Sequence, residues 1–219
     1  MGNIRFRNTG LNGPGGIKFR RNLFVNWTIK DLTETNIIGT DGSLVEAIVF
    51  ADPYSLNTNK PVLISNIQFK DFKLNATTSL KSSTGRLHKV ITGPIFKSIL
   101  PITSTEDIYN LTSLGAWIPN LPPNEKLILT ISKLSLDDIY QIRCIFNSKN
   151  KGTSSMSLEP NTCNLEFDDN LGTIAIAEFI APNDNISIQL KSNNDKQPFI
   201  NAIVIRKIGT APRTTMTQN

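Results

Sequence analysis

Histidine is nearly absent from this 219-residue chain: there is one, His88. Cysteine occurs twice, as Cys144 and Cys163. Zinc sites and histidine-based triads need several such groups in one neighbourhood. Neither chemistry is expected here, and no metal or cofactor is implied. Cys144 lies in a strand-like run and reads as a small buried apolar residue. A bridge to Cys163 is geometrically open, but a reducing compartment does not imply one. Charge is also sparse, at 19% of residues, so much of the polar surface must come from Asn, Ser and Thr. No apolar run approaches the ~20 residues of a membrane-spanning helix. Met1 to Gly16 is polar and basic, without the ~7–15-residue apolar stretch of a signal peptide. Gly2 does not begin a myristoylation motif, because Phe6 stands where Ser or Thr is required. A chain made in the cytoplasm, with no membrane partner, is the expectation. On that reading the sequons at Asn26, Asn75, Asn110 and Asn185 are chance matches. No fixed-period repeat points to a solenoid or propeller.

One further absence is informative. No acidic residue occurs before Asp31, whereas six basic residues do: Arg5, Arg7, Lys18, Arg20, Arg21 and Lys30. The formal net charge is +5, so the remainder is close to neutral. The same opening stretch holds Gly10, Gly13, Pro14, Gly15 and Gly16, which cannot propagate helix or strand and mark a turn or hinge. The Gly13–Gly16 cluster lacks the Lys-Ser/Thr that would complete a phosphate-binding loop. On either side of it, Arg5-Phe6-Arg7 and Lys18-Phe19-Arg20 alternate basic and aromatic residues, as extended segments do. Three zones follow: a basic, Gly-rich N-terminal arm at 1–24, a body at 25–208 and a flexible Thr-rich tail at 209–219.

Period two recurs through the body. Leu127, Leu129 and Ile131 alternate with Ile128, Thr130 and Ser132, and Ile186, Ile188 and Leu190 with Ser187, Gln189 and Lys191. Tyr140, Ile142, Cys144 and Phe146 alternate with Gln141, Arg143 and Asn147 in the same way. Each run predicts a strand with one buried and one wet face. Further strands are expected at 45–50, 62–70, 173–179 and 199–206, separated by turn residues such as Asp41-Gly42 and Pro182-Asn183-Asp184. One short helix is expected. Thr103 or Ser104 would cap it, Ile108, Leu111 and Leu114 would line one face, and Gly115 would stop it. The fold class is therefore all-β: an antiparallel, jelly-roll-like β-sandwich with one short helix and an extended N-terminal arm.

Two carboxylate pairs, Asp137-Asp138 and Asp168-Asp169, are the candidates for catalytic or Ca²⁺ groups. Neither has supporting spacing, and turn chemistry is the preferred reading. Trp117 and Tyr109 are candidate glycan contacts, with Trp117 expected on a loop; the alternative is that the tryptophans anchor the core. The arm has three readings. It binds nucleic acid, it lies along a neighbouring subunit, or it is a first strand of its own domain. The second is preferred, because a nucleic-acid domain would carry basic residues over its body too.

The last third resembles the closing strands of galactose-binding-like and malectin-like β-sandwiches. The residues that carry this are Ile174 to Pro182, Asn185 to Leu190, and Pro198-Phe199-Ile200-Asn201-Ala202-Ile203-Val204-Ile205. The resemblance implies a fold and not a ligand. The layout of the whole chain also resembles accessory structural proteins of bacteriophage particles. It implies a non-enzymatic virion subunit of capsid or tail, docking through Arg5, Phe6, Arg7, Lys18, Phe19, Arg20 and Arg21. Its partners would be other protein subunits, including itself. The alternative is a carbohydrate-binding module of an adhesin or enzyme.

Overall fold

A computed structural model of the chain describes residues 25–50, 62–72, 77–84, 91–94, 106–117, 121–122, 125–147, 152–158, 161–167, 172–192 and 198–211. The first elements are β1 (Val25–Asp31), α1 (Glu34–Ile38), β2 (Ser43–Val49), β3 (Leu63–Ile64), β4 (Ile67–Gln68), β5 (Lys70–Asp71) and β6 (Thr78–Ser82). Next come β7 (Ile91–Pro94), α2 (Glu106–Ser113), β8 (Leu114–Trp117), β9 (Leu127–Ser132) and β10 (Asp138–Phe146). The chain continues through β11 (Gly152–Leu158), β12 (Asn161–Phe167), β13 (Thr173–Ile180), β14 (Asn185–Ser192), β15 (Phe199–Ile200) and β16 (Ala202–Thr210). The fold is all-β with short helices.

Six strands form one sheet in the order β1-β13-β10-β16-β2-β5, and five form another in the order β12-β11-β14-β9-β6. A three-stranded sheet, β15-β8-β7, and the β3-β4 hairpin complete the set. Among the described residues all pairings are antiparallel except β2 with β5, which run parallel; there the antiparallel expectation does not hold. The two large sheets contribute to one buried cluster. Ile142, Cys144, Phe146, Ala175, Ala177, Ile203 and Ile205 come from the first, and Leu127, Leu129, Ile131, Met156, Leu165, Ile188 and Leu190 from the second. The alternation of β9 and β14 is reproduced as expected, with Leu129 and Ile188 fully buried.

β10 departs from the one-wet-face expectation. Its second face carries Gln141, Arg143 and Ile145, and all three are buried. Ile145 joins a second apolar cluster, in which Ile37 and Ile38 of α1, Ile108 and Leu111 of α2, and Val62, Ile64 and Phe69 pack against Ile174, Ile176, Ala202 and Val204. The middle of the six-stranded sheet is thus covered on both faces, while Ile29 of β1 and Leu44 and Val45 of β2 stay exposed. The polar residues that suggested a wet face are instead paired. Arg143 donates to the Asn36 carbonyl at 2.6 Å, and Gln141 to the Glu178 carboxylate at 2.8 Å. Arg206 donates to the carbonyls of Asp41 at 2.8 Å and Gly42 at 3.0 Å. These two guanidinium groups hold the α1–β2 connection onto the sheet. Burial draws the Arg143 pKa below its ordinary value, with nearby Arg206 acting in the same direction and Asp41 and Glu178 opposing.

Local chemistry explains the other differences. The run at 62–70 is not one strand, because Ser65 (φ 46°) and Asn66 (φ 65°) form a two-residue turn with both φ positive, the hairpin geometry that matches strand twist. Helix α1 has only five residues, too few to show a periodic pattern. Thr33 caps it by accepting from the Asn36 amide at 3.2 Å, and Gly39 ends it at φ 62°. The expected helix appears as α2, but Gly115 does not simply stop it; it lies inside β8. The Thr103 and Ser104 caps lie outside the described residues. β16 runs on to Thr210, and Ala211 beyond it is buried.

Asp138 fastens the start of β10 to the end of β16. Its carboxylate meets the Lys207 ammonium at 2.6 Å and accepts from the Thr210 hydroxyl at 2.7 Å. Those two bonds, Lys207 first, hold the carboxyl below its usual range. A depressed carboxyl contributes stability above its unfolded pKa, near 3.8, and loses it as pH falls through the lower folded value. Asp138→Asn should therefore be less stable than the parent at pH 7. In urea melts across pH the gap should close in acid; a constant gap would remove any role for the charge.

Candidate functional site

The arm residues Arg5, Phe6, Arg7, Lys18, Phe19, Arg20 and Arg21 lie outside the described residues, as do His88, Asp168 and Asp169. What the structure places is the point where the arm joins the body. Val25 opens β1 and pairs with Phe179 of β13, two residues before Ala181 and the Pro182-Asn183-Asp184 loop. Among the described strands β1 is outermost in its sheet and β12 outermost in the other. β12 touches both β1 and β13, so the two edges lie together at one side of the body.

The side chains of β12 alternate, with Cys163 and Leu165 buried and Thr162, Asn164 and Glu166 exposed. At the Leu158–Asn161 end of the β11–β12 hairpin a cleft of about 240 Å³ is lined by Leu158, Pro182, Asn183, Asn185, Ile186 and Gln189, among others. The segment from β11 into β14, of which this corner is one end, is the most one-sided part of the chain after the arm. Residues 152–190 contain six acidic residues (Glu159, Glu166, Asp168, Asp169, Glu178 and Asp184) and no basic one. Motif reading missed this, whereas a running count of charge along the chain finds it. Glu166 and Asp184 are exposed, and Glu178 is half-buried against Gln141.

The remaining candidates fall as follows. Trp117 is not on a loop. It lies on β8, between Ile91 of β7 and Phe199 of β15, and is half-buried. Tyr109 is in α2, with its side chain outside the described residues. Trp27 packs against the first cluster, and its indole N–H is buried without a hydrogen-bond partner among the described residues. Asp137 takes φ 67° in the turn into β10, and its amide and carbonyl bond Ala181 and Ala211 at 3.1 and 2.8 Å. Cys144 and Cys163 are both free and buried. Burial pushes both thiols up, which leaves neither disposed to act as a nucleophile at neutral pH. Among the described residues no group of three or more His, Cys, Asp or Glu side chains could hold a metal ion. No described helix is long and apolar enough to cross a membrane.

A buried polar hub also escaped sequence reasoning. Asn201, Asn147 and Thr112 are each fully buried. The Asn201 side chain accepts from the Asn147 amide at 2.7 Å and donates to the carbonyls of Thr112 at 3.0 Å and Leu114. It ties the end of β10 and the α2–β8 junction to the break between β15 and β16. This is the Asn of the Pro198–Ile205 motif, and its place gives that motif a structural meaning.

No family model and no curated protein matches this chain. Among solved structures it weakly resembles the enzymatically active domain of tailspike protein 4 of bacteriophage CBA120, with a TM-score of 0.29 and 11% identity over 60% of this chain. The match spans 18% of that tailspike chain. A TM-score this low carries no fold assignment and no transfer of activity.

Proposed function

We propose that this chain is a non-catalytic structural subunit of a virion, in a phage capsid or tail, that docks to neighbouring protein subunits through its N-terminal arm. One observation carries this reading: a segment whose every charge is positive leads directly into β1, an edge strand of the body. Extended, 24 residues reach up to ~80 Å, enough to cross onto an adjacent subunit. Arginine and aromatic side chains are the types that anchor interfaces.

We read the body as a jelly-roll-like sandwich, and strand order supports this. β2-β16-β10-β13 forms the core of one sheet and β9-β14-β11-β12 that of the other. The chain crosses from sheet to sheet at β9–β10, β10–β11, β12–β13 and β13–β14, as two interlocked Greek keys require. Deleting residues 1–24 should abolish incorporation into particles while leaving the unfolding midpoint of the body within experimental scatter. Normal incorporation of the truncated chain would sink the reading.

A carbohydrate-binding module is the second reading, favoured by the incomplete burial of Trp117. It requires saturable glycan binding that Trp117→Ala removes.

A further inference from the structure

We propose that the outer face of the five-stranded sheet is a contact surface for the sugar–phosphate backbone of double-stranded nucleic acid, held through Lys81, Lys126 and Lys191. The proposal goes beyond the docking reading and does not depend on it. In the sequence, basic residues look thinly spread over the body, which argues against nucleic acid. Folding gathers three of them. β14, β9 and β6 are neighbours in that order. Leu190, Leu127 and Leu80 on these strands are buried in the first apolar cluster. Lys191, Lys126 and Lys81 each adjoin one of these leucines and so turn to the opposite face. Leu127 pairs with Leu190, so Lys126 and Lys191 come opposite each other one step further on. On the other side the Ser83 hydroxyl accepts from the Lys126 amide at 3.0 Å, and Lys81 stands two residues before Ser83. With strands ~4.8 Å apart, the three lysines rise from a strip about 10 Å wide.

The charge of this strip is not answered within the chain. Lys70 and Lys207 meet Glu46 and Asp138 at 2.7 and 2.6 Å. Among the described residues none of the three face lysines is in an ion pair. Lys126 donates instead to the Gln189 side-chain oxygen at 2.5 Å. The nearest acidic residues are turned away or set apart. Glu125, beside Lys126 in sequence, is buried with its carboxylate on the Ser82 and Thr84 hydroxyls. Glu166 is exposed on β12, two strands beyond β14, and Asp184 stands at the far end of β14 from Lys191. Like charges on adjoining strands destabilise a sheet. An anion from outside relieves that cost.

The rest of the face selects the partner. Ser155 pairs with Lys191, Ser157 with Gln189, and Thr130 with both Ser187 and Ser79. No outward position on these five strands holds an aromatic residue, so the face has no stacking platform for unpaired bases. It lacks the aromatic, Met and Arg residues that mark protein interfaces and is rich in the Lys and Ser that such interfaces lack. Lys, Ser, Thr and Gln are side chains that hold phosphate oxygens without reading sequence. A duplex presents one charge per ~1.7 Å of its axis, dense enough to engage all three lysines at once.

The test is fluorescence anisotropy of full-length protein with labelled DNA duplexes over a salt series. Two duplexes of unrelated sequence should bind equally. Lys81→Gln with Lys126→Gln and Lys191→Gln should bind at least about tenfold more weakly at ~50 mM salt. Its log–log salt slope should be shallower by about 2–3, because each phosphate contact contributes ~0.9. Its unfolding midpoint should equal or exceed that of the parent, which is the folding control. Lys30→Gln with Lys70→Gln and Lys133→Gln removes the same charge elsewhere and should change the slope by less than about one. Equal losses in the two variants would show diffuse attraction and overturn the face as a site. Parental binding by the first variant would assign the duplex to the arm and overturn it as well. No duplex binding at all would overturn the proposal and leave docking by the arm intact. Tighter binding of a polyuronate than of either duplex would overturn nucleic acid as the partner. Failure of the docking reading shows separately, in normal incorporation of the chain lacking residues 1–24.

Discussion

Asn201→Ala should cost about 3–5 kcal/mol of folding stability, read as a lower urea midpoint at an unchanged m-value. The residue is fully buried, and its side chain makes one accepted and two donated bonds. Removing it takes the Asn201 bond from the Asn147 amide and from the Thr112 and Leu114 carbonyls, and each buried bond lost without replacement costs ~1–3 kcal/mol. The Thr112 carbonyl also accepts a long 3.4 Å bond from Asn147. Backbone bonds at the same residue, Asn201 to Ile145 at 3.0 Å and Phe50 to Asn201 at 2.9 Å, should survive. The damage is then local to the α2–β8 junction and the end of β10, which are held by the side chain. Asn201→Asp should be at least as harmful, because it turns carboxylate oxygens toward two carbonyls. A loss below ~1 kcal/mol for the alanine variant would mean that other groups satisfy these carbonyls and that Asn201 is no hub.

Gly42→Ala should be nearly as damaging, for an unrelated reason. Gly42 has φ +67°, which costs an L-residue ~1–2 kcal/mol. A Cβ there would lie 2.1 Å from the Lys207 carbonyl oxygen and 2.7 Å from Ile208 Cα. Both are backbone atoms of β16, a strand paired on both sides, so they cannot give way as a side-chain tip would. Overpacking adds ~1–3 kcal/mol, for a total of about 2–5 kcal/mol. Gly209→Ala is the control. Its Cβ would meet Ile139 Cδ1 at an ordinary 3.5 Å, and stability should change by less than ~1 kcal/mol. Equal losses at both glycines would show that the close approach of Gly42 to β16 does not govern the α1–β2 connection.

Strands with one covered face were legible because a period of two reports burial directly; Ile186-Ser187-Ile188-Gln189-Leu190 is the clearest case. β10 misled because Gln141 and Arg143 look like a wet face, whereas the structure buries them and bonds them to Glu178 and to the Asn36 carbonyl of α1. Pattern reading equates polar with solvated, and paired buried polar groups break that equation. The 62–70 run misled because a two-residue turn can hide in Ser65-Asn66 without Gly. Trp117 looked like a loop residue beside Gly115 and Pro119, but pairing on both sides of β8 makes a strand of it. Asn201 was visible as part of a recognised motif, though its bonding was not. The run of acidic residues without a basic one at 152–190 needed no structure, only charge counted by segment.

The central claim is that the arm, and not the body, carries assembly. Absolute mass in solution tests it most directly, measured by light scattering after size exclusion on the full chain and on one lacking residues 1–24, each at low and high salt. A defined oligomer that truncation dissolves and salt weakens is the predicted result. Identical monomeric masses for both chains at every salt concentration would contradict it.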